Sequence, residues 1–407
     1  MSLNRVEVVE NNLDEYLRSA PRPKHVLGGD DPVRPGSTLT ARTAISIFED
    51  QVISRQLDVQ SRELKKRGES FYTIASAGHE QNAIIGAQLN VDDPCFLHYR
   101  SGALVMARAR KADGQTAAFD SLLGICASTD EPIAGGRHKV WGSRELWIPP
   151  QTSTIASHLP KAVGTAFAMC RGRRIGVETE FDDSPDALVL CSFGDASANH
   201  ATAMTGINSA RYAYRHGNPT PVVFLCEDNR RGISVETPRR WIGDMFENMR
   251  YLHYFYAEGE MDEIWDRVEL AIHTCRSAKA PVFLHLKCKR LWGHAGSDIE
   301  TSYRNLEQIE YVESRDPVLL NARRLVELGA AEPATLSAIV ADTRERLAAM
   351  AEEATRRPKL QSRAAVIEHL APYDAKQCRE IASWPADAVV RTETFGKRLP
   401  EDNDSAA

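Results

Sequence analysis

An α/β fold, with a mostly parallel sheet and helices on both faces, is predicted by three features of this 407-residue sequence. Two wholly apolar runs, Ala187-Leu188-Val189-Leu190-Cys191 and Val222-Val223-Phe224-Leu225-Cys226, read as strands buried on both faces. Between them Ala203, Ile207, Ala210 and Tyr214 recur at helical spacing, and Gly217-Asn218-Pro219 stops the helix. The alternation then repeats: a helix over residues 264–278, carrying Val268, Ala271, Ile272 and Cys275, precedes a third apolar run over residues 281–286. Strand–helix–strand units of this kind make parallel sheets. Polar residues follow the first two strands, Gly194-Asp195 after one and Glu227-Asp228-Asn229 after the other. The carboxyl edge of an open parallel sheet is where ligands bind.

Composition narrows the function. Hydrophobic residues make up 43% and charged residues 26% of the chain, enough for a sizeable core. The net charge of −6 argues against nucleic acid as a partner. The basic runs at 65–67 and 356–359 read as solvated helix faces. Eight cysteines without CxxC pairing, several inside strand-like runs, fit buried reduced thiols. With no signal-like segment and no long uncharged apolar run, a cytoplasmic protein with no membrane contact is expected.

Taken in order, residues 1–40 read as an extended N-terminal arm packed on a partner. Thr40 caps a long helix to about Arg67, with Ile45, Ile47, Phe48, Val52 and Leu57 on its apolar side. Residues 71–74 form a short link to Ser76, and a helix beginning near His79-Glu80 carries Ile84, Ile85 and Leu89. Next comes Phe96–Gly102, FLHYRSG, in which the Tyr99-Arg100 pair is either surface chemistry or a ligand contact. Residues 120–126 look helical and 133–147 form a glycine- and charge-rich loop. Pro160 marks a helix start, and Ala162, Gly164 and Ala166 suggest close packing on a neighbour. Residues 178–185 form an acidic, exposed loop. After the third strand, RLWGHAGSDIETSYR (290–304) sets His294 between glycines on a mobile loop, as either a surface or a catalytic histidine. Two amphipathic helices occupy 316–357, and the pattern weakens from about 365. The main domain is therefore placed at 41–364, with 365–407 as an extension or linker.

Asp195 and Asn229 stand at neighbouring strand ends. One anionic and one neutral oxygen, with a nearby carbonyl, suit Mg2+ whose shell is completed by phosphate oxygens. The same residues equally suit a helix cap and a turn.

GDASANH followed by CEDNRRG resembles the thiamine diphosphate motif of the alpha subunit of 2-oxo acid dehydrogenases, the decarboxylating first component. The resemblance spans residues 35–365 and implies the thiamine diphosphate-binding fold. It implies cofactor contacts from Gly194, Asp195, Ala196 and Ser197, with Mg2+ held by Asp195, Asn229 and the carbonyl of Arg231. Ala196 replaces the family's usual glycine, and the motif is slightly longer than usual. Tyr99 and Arg100 match the cofactor-contacting pair, and Arg290 matches the arginine on the diphosphate. Ile155 matches the apolar wedge beneath the cofactor, though it reads equally as core filler. His294 matches the active-site histidine, which would stabilise charge and pass a proton during transfer to a lipoyl group. Ala295 stands where mammalian relatives carry a phosphorylated serine, so that switch is expected to be absent. Ser153 and Thr154 match positions that bind potassium in some branched-chain relatives.

The implied activity is oxidative decarboxylation of a 2-oxo acid, branched-chain or pyruvate, with acyl transfer to a lipoyl-bearing acyltransferase. His98 and the 141–147 loop are placed to influence substrate choice. In the family the glutamate that activates the cofactor comes from a beta subunit, and no second thiamine-type unit is seen here. The chain is therefore expected to need a beta-type subunit or domain, and its tail resembles the connector of fused alpha–beta enzymes. Two alternatives remain at this stage: a catalytically silent assembly subunit, or an acetoin dehydrogenase alpha subunit. A generic dinucleotide dehydrogenase is disfavoured, because no GxGxxG follows a strand.

Overall fold

The buried apolar runs become the middle of a five-stranded, all-parallel sheet. The computed structural model describes residues 4–70, 74–151, 154–177, 181, 184–368, 374–383 and 389. Its elements begin with α1 (Arg5–Ser19), α2 (Ala41–Lys66), α3 (Asn82–Gln88), β1 (Cys95–Phe96), α4 (Gly102–Ala109) and α5 (Ala117–Ile125). A hairpin of β2 (Trp141–Ser143) and β3 (Ile148–Gln151) follows, then α6 (Leu159–Ile175), β4 (Val189–Gly194), α7 (Ala201–Arg215) and β5 (Val222–Asp228). A second hairpin of β6 (Arg231–Gly232) and β7 (Val235–Glu236) leads to α8 (Trp241–Phe246), β8 (His253–Ala257), α9 (Met261–Ala278) and β9 (Val282–Lys287). Then come α10 (Leu306–Ser314), α11 (Pro317–Glu327), α12 (Pro333–Arg356), α13 (Arg363–Ile367) and α14 (Ala375–Ser383). The chain forms two units, Met1–Lys359 and Leu360–Ala407.

Strand order is β1-β4-β5-β9-β8, with every neighbouring pair parallel. Side chains alternate between faces at a period of two. Leu188, Leu190, Val223, Leu225, Val282 and Leu284 point to the core that holds α2, α3, α4 and α9. Val189, Cys191, Phe193, Val222, Phe224, Cys226 and Phe283 point to the opposite core, formed with α6, α7 and α8. Phe283 stacks on Phe246 at 4.2 Å, so truncating it to alanine should remove about 3–5 kcal/mol.

Thr40 caps α2 as expected, accepting from the Thr43 amide at 3.2 Å. Across residues 50–58 that helix is buried on every side, so its polar groups must be paired internally. Arg55 donates to Glu80 at 2.8 Å and, bidentately, to Asp316 at 2.7 and 2.9 Å. Asp58 accepts the amides of Ser76 and Ala77 at 2.7 and 2.8 Å. These bonds fix the turn at 75–81, which borders the site described below. Removing one partner would strand a buried charge, at about 3–5 kcal/mol.

Several sequence expectations need correction. The N-terminal arm is not extended: residues 5–19 are helical, Val9, Leu13 and Leu17 are buried, and Arg344 of α12 pairs with Glu10 and Asp14. The helix expected from His79 begins at Asn82, after a turn. Gly164 faces open space, and the close approach on α6 is made instead by Gly206 of α7, where a Cβ would lie 3.0 Å from the Leu159 carbonyl carbon. The 133–147 loop contains β2, and β8 lay outside the sequence reading. The expectations for residues 71–73, Ser153, most of the 178–185 loop and the tail beyond 383 lie outside the described residues, apart from Val389.

Candidate active site

The carboxyl edge of the sheet gathers the strand-end residues. Gly194 leads into a single 3₁₀ turn over Asp195–Asn199, and α7 is capped by His200, whose Nδ1 accepts from the Thr202 amide. Asp195 therefore is not a helix cap. It is 1% exposed, and its Oδ2 accepts from the Thr237 hydroxyl at 2.6 Å. Burial lifts its carboxyl pKa to about 6, against the Thr237 bond and with help from the neighbouring Asp228 charge. A buried carboxylate with so little cationic support suits a bound cation.

Asn229 follows β5. Its Oδ1 accepts the Arg231 amide at 3.0 Å and its Nδ2 donates to His79 Nε2 at 3.0 Å. The turn reading of Asn229 thus holds alongside any ligand role. Ala196, where a glycine was expected, is accommodated by Gly232: a Cβ there would come 2.9 Å from the Ala196 methyl. Burial alone would raise the pKa of Asp228, but hydrogen bonds from His285 at 2.8 Å and Lys287 at 2.6 Å hold it well below the usual range.

A second cluster faces this one. Arg100 is buried and donates to the Ala75 carbonyl, to His294 Nδ1 at 3.1 Å and to the His294 carbonyl at 2.8 Å. Its guanidinium lies 5.1 Å from the Tyr99 ring centre. Burial, then the Arg100 and Arg290 charges, push the His294 pKa down to about 4. Asp298 ties the loop, accepting the His294 amide at 2.6 Å and the Tyr303 hydroxyl at 2.5 Å. Arg290 donates to the Tyr303 oxygen at 3.0 Å, yet its buried Nε has no partner among the described residues. Burial, then the Arg100 charge, lower its pKa. A buried guanidinium held this way suits an anion such as a diphosphate.

The two clusters are joined. Ring centres run from His79 to His98 (6.3 Å), His98 to Tyr99 (4.0 Å) and Tyr99 to His294 (6.2 Å). A hollow of about 440 Å³ is lined by Asn229, Arg231, Lys289, Arg290, Arg304 and Tyr311. The structure thus gathers Asp195, Ser197, Asn229, Arg231, Tyr99, Arg100, Arg290 and His294 around one edge. Ile155 stands just before α6 and is 51% exposed, which rules out the core-filler reading. His98, whose substrate role was open, is buried with an unpartnered Nδ1, and burial holds its pKa far down. Sequence reasoning missed His79, Glu227, Thr237, Asp298 and Tyr303. Asp298 and Tyr303 carried a signal by lying in the glycine-flanked loop, and Glu227 by ending the second apolar strand.

Such a site, a buried aspartate and a half-buried asparagine near a buried arginine whose Nε has no partner among the described residues, at a parallel sheet's carboxyl edge, defines an α/β enzyme that binds a phosphate-bearing cofactor. The sequence profile described as "Dehydrogenase E1 component" matches residues 49–363, and the chain belongs to that family. It is 26% identical to the 2-oxoisovalerate dehydrogenase subunit alpha of Bacillus subtilis (strain 168), over 72% of this chain and 84% of the relative. It is 30% identical to the somatic, mitochondrial pyruvate dehydrogenase E1 component subunit alpha of Rattus norvegicus, over 79% and 78%. The Saccharomyces cerevisiae mitochondrial counterpart is 23% identical, over 82% and 72%. The chain is an alpha-type E1 component.

Proposed function

We propose that this chain, with a beta-type partner, carries out the oxidative decarboxylation of a 2-oxo acid and passes the acyl group to a lipoyl arm, using thiamine diphosphate and Mg2+. The observation that carries the reading is the shared hollow lined by Asn229 and Arg231 of the metal half and by Arg290 of the anion half, whose buried Nε has no partner among the described residues. Bound thiamine diphosphate supplies the electron sink that decarboxylation requires. Asp195, Asn229 and the Arg231 carbonyl are the oxygen donors for Mg2+, and Arg290 neutralises the diphosphate.

On this reading His294 is the proton-transfer residue. Arg100 donates to its Nδ1, so the neutral imidazole carries its proton on Nε2. That N–H donates to charge developing on the substrate oxygen, and its proton passes on only as Nδ1 takes one up in place of the Arg100 bond. Ile155 presents an exposed apolar side chain that would support thiamine diphosphate when it is bound. Branched-chain 2-oxo acids and pyruvate are the leading substrates, in line with the relatives' names.

Calorimetric titration of thiamine diphosphate with Mg2+, on this chain with and without its beta-type partner, tests the reading. Tight binding only with the partner is expected. Absence of binding in both samples would remove the cofactor assignment, and binding without turnover of any 2-oxo acid would favour a silent assembly subunit.

A further inference from the structure

His79 was not needed for any role assigned above, yet it is fully buried at the edge of the metal half. Its turn is held by Asp58 on the Ser76 and Ala77 amides and by Glu80 on the Gly78 amide at 2.7 Å. Nδ1 lies 2.5 Å from Glu227 Oε2, an oxygen that also accepts from Asn82 Nδ2 at 3.3 Å. Nε2 lies 3.0 Å from Asn229 Nδ2. His79, His98 and Glu227 bring their ligand atoms within 4.8 Å of one another, but both nitrogens of His79 are already engaged. It is therefore better suited to orient a neighbour than to bind a metal itself.

The bond directions follow from the acceptor at one end. As a carboxylate Glu227 only accepts, and His79 then carries its proton on Nδ1 and offers a lone pair at Nε2. Asn229 must then turn its NH2 toward His79 and its oxygen the other way. Flipping the carboxamide would set Oδ1 against the Nε2 lone pair and the NH2 against the Arg231 N–H, which are two repulsive contacts. We infer that His79, locked by Glu227, is a positioning residue that presents the Asn229 oxygen to the divalent cation. This rests on the Mg2+ reading above. Partners that orient a metal ligand commonly contribute a factor of about 10 to 100 in metal affinity.

The test uses the full chain assembled with its beta-type partner and reads the Mg2+ concentration for half-maximal thiamine diphosphate uptake by calorimetry. Asp195→Ala, the control for the Mg2+ reading itself, should abolish the Mg2+ dependence; if it does not, that reading falls and this inference with it. His79→Phe keeps the volume but has no acceptor, and should raise the half-saturating Mg2+ about 10- to 100-fold. Cofactor uptake at saturating Mg2+ should return to the wild-type level. His79→Gln, whose Oε1 can accept from Asn229, should recover most of the Mg2+ affinity. An unchanged Mg2+ requirement in His79→Phe, with Asp195→Ala impaired, overturns the inference alone. Loss of cofactor at every Mg2+ concentration also overturns it, because His79 would then support the site as a whole. Should His79→Phe not assemble, Glu227→Leu, which cannot accept from His79 Nδ1, decides: a like rise supports the relay, and no rise refutes it.

Discussion

A single buried carboxyl group couples this edge of the sheet to pH. Asp195 has a pKa of about 6 when folded, against about 3.9 for an unfolded aspartate. The folded chain therefore binds more protons between these values, and without metal its stability falls as pH rises from about 4 to 6. Asp195→Asn removes that penalty. The metal-free variant should be more stable than wild type near pH 7 by about 1–2 kcal/mol, and should gain little near pH 4. Thermal unfolding at both pH values checks this, and equal gains at both would refute the titration account. His294 behaves in the opposite sense, since its pKa falls to about 4 in the fold. Its contribution is intact above the unfolded histidine value of about 6.5 and is lost as pH falls toward 4. In the assembled enzyme His294→Ala should lower kcat by about 10²- to 10⁴-fold, measured with saturating cofactor.

At the scale of elements, the turn at 75–81 is the junction on which the arginine segment depends. Lys289 N donates to the Gly78 carbonyl at 3.2 Å and Leu291 N to the Ala77 carbonyl at 3.0 Å, which brackets Arg290. Gly78 has φ +93°, and a Cβ there would sit 1.5 Å from the Lys289 carbonyl oxygen. Gly78→Ala should therefore cost upwards of about 3 kcal/mol and weaken cofactor binding together with stability, as read by urea unfolding and calorimetry. The central βαβ unit was legible because two-sided burial writes unbroken apolar runs, and the Thr40 cap because Thr precedes a periodic stretch. Edge strand β8, HYFYA, is buried only at its end and leaves no such run. The helix in the first 20 residues did leave a trace, Val9, Leu13 and Leu17 at four-residue steps, which was passed over for the glycines after it. The polar pairs were not legible at all. His79 and Glu227 are 148 residues apart, and Arg55 and Asp316 are 261 apart. Only the tertiary fold says that they meet.

For the molecule as a whole, the decisive question is whether this chain suffices. On the function proposed above, the single parallel sheet among the described residues brings together the metal donors, an arginine for the anion and a histidine for proton transfer. The carboxylates that border this edge are otherwise occupied: Asp195 faces Thr237, Asp228 is held by His285 and Lys287, and Glu227 is held by His79. Each is thus engaged by side chains of this chain on one oxygen, with Glu227 Oε1 left buried and unpartnered among the described residues. Apolar side chains also stand exposed on and around α6, among them Ile155, Phe167 and Ile175. Both observations favour a second polypeptide, or a fused second half, that covers this edge and brings the missing carboxylate. Titrating the beta-type partner into a fixed amount of this chain should therefore raise 2-oxo acid decarboxylation from background to a plateau at equal stoichiometry. Thiamine diphosphate affinity should rise along the same curve, because one interface completes both functions. Full activity from the chain alone would place the base within it and refute this division of labour. Activity that keeps rising well past equal stoichiometry would instead point to weak assembly, measurable as a partner dissociation constant.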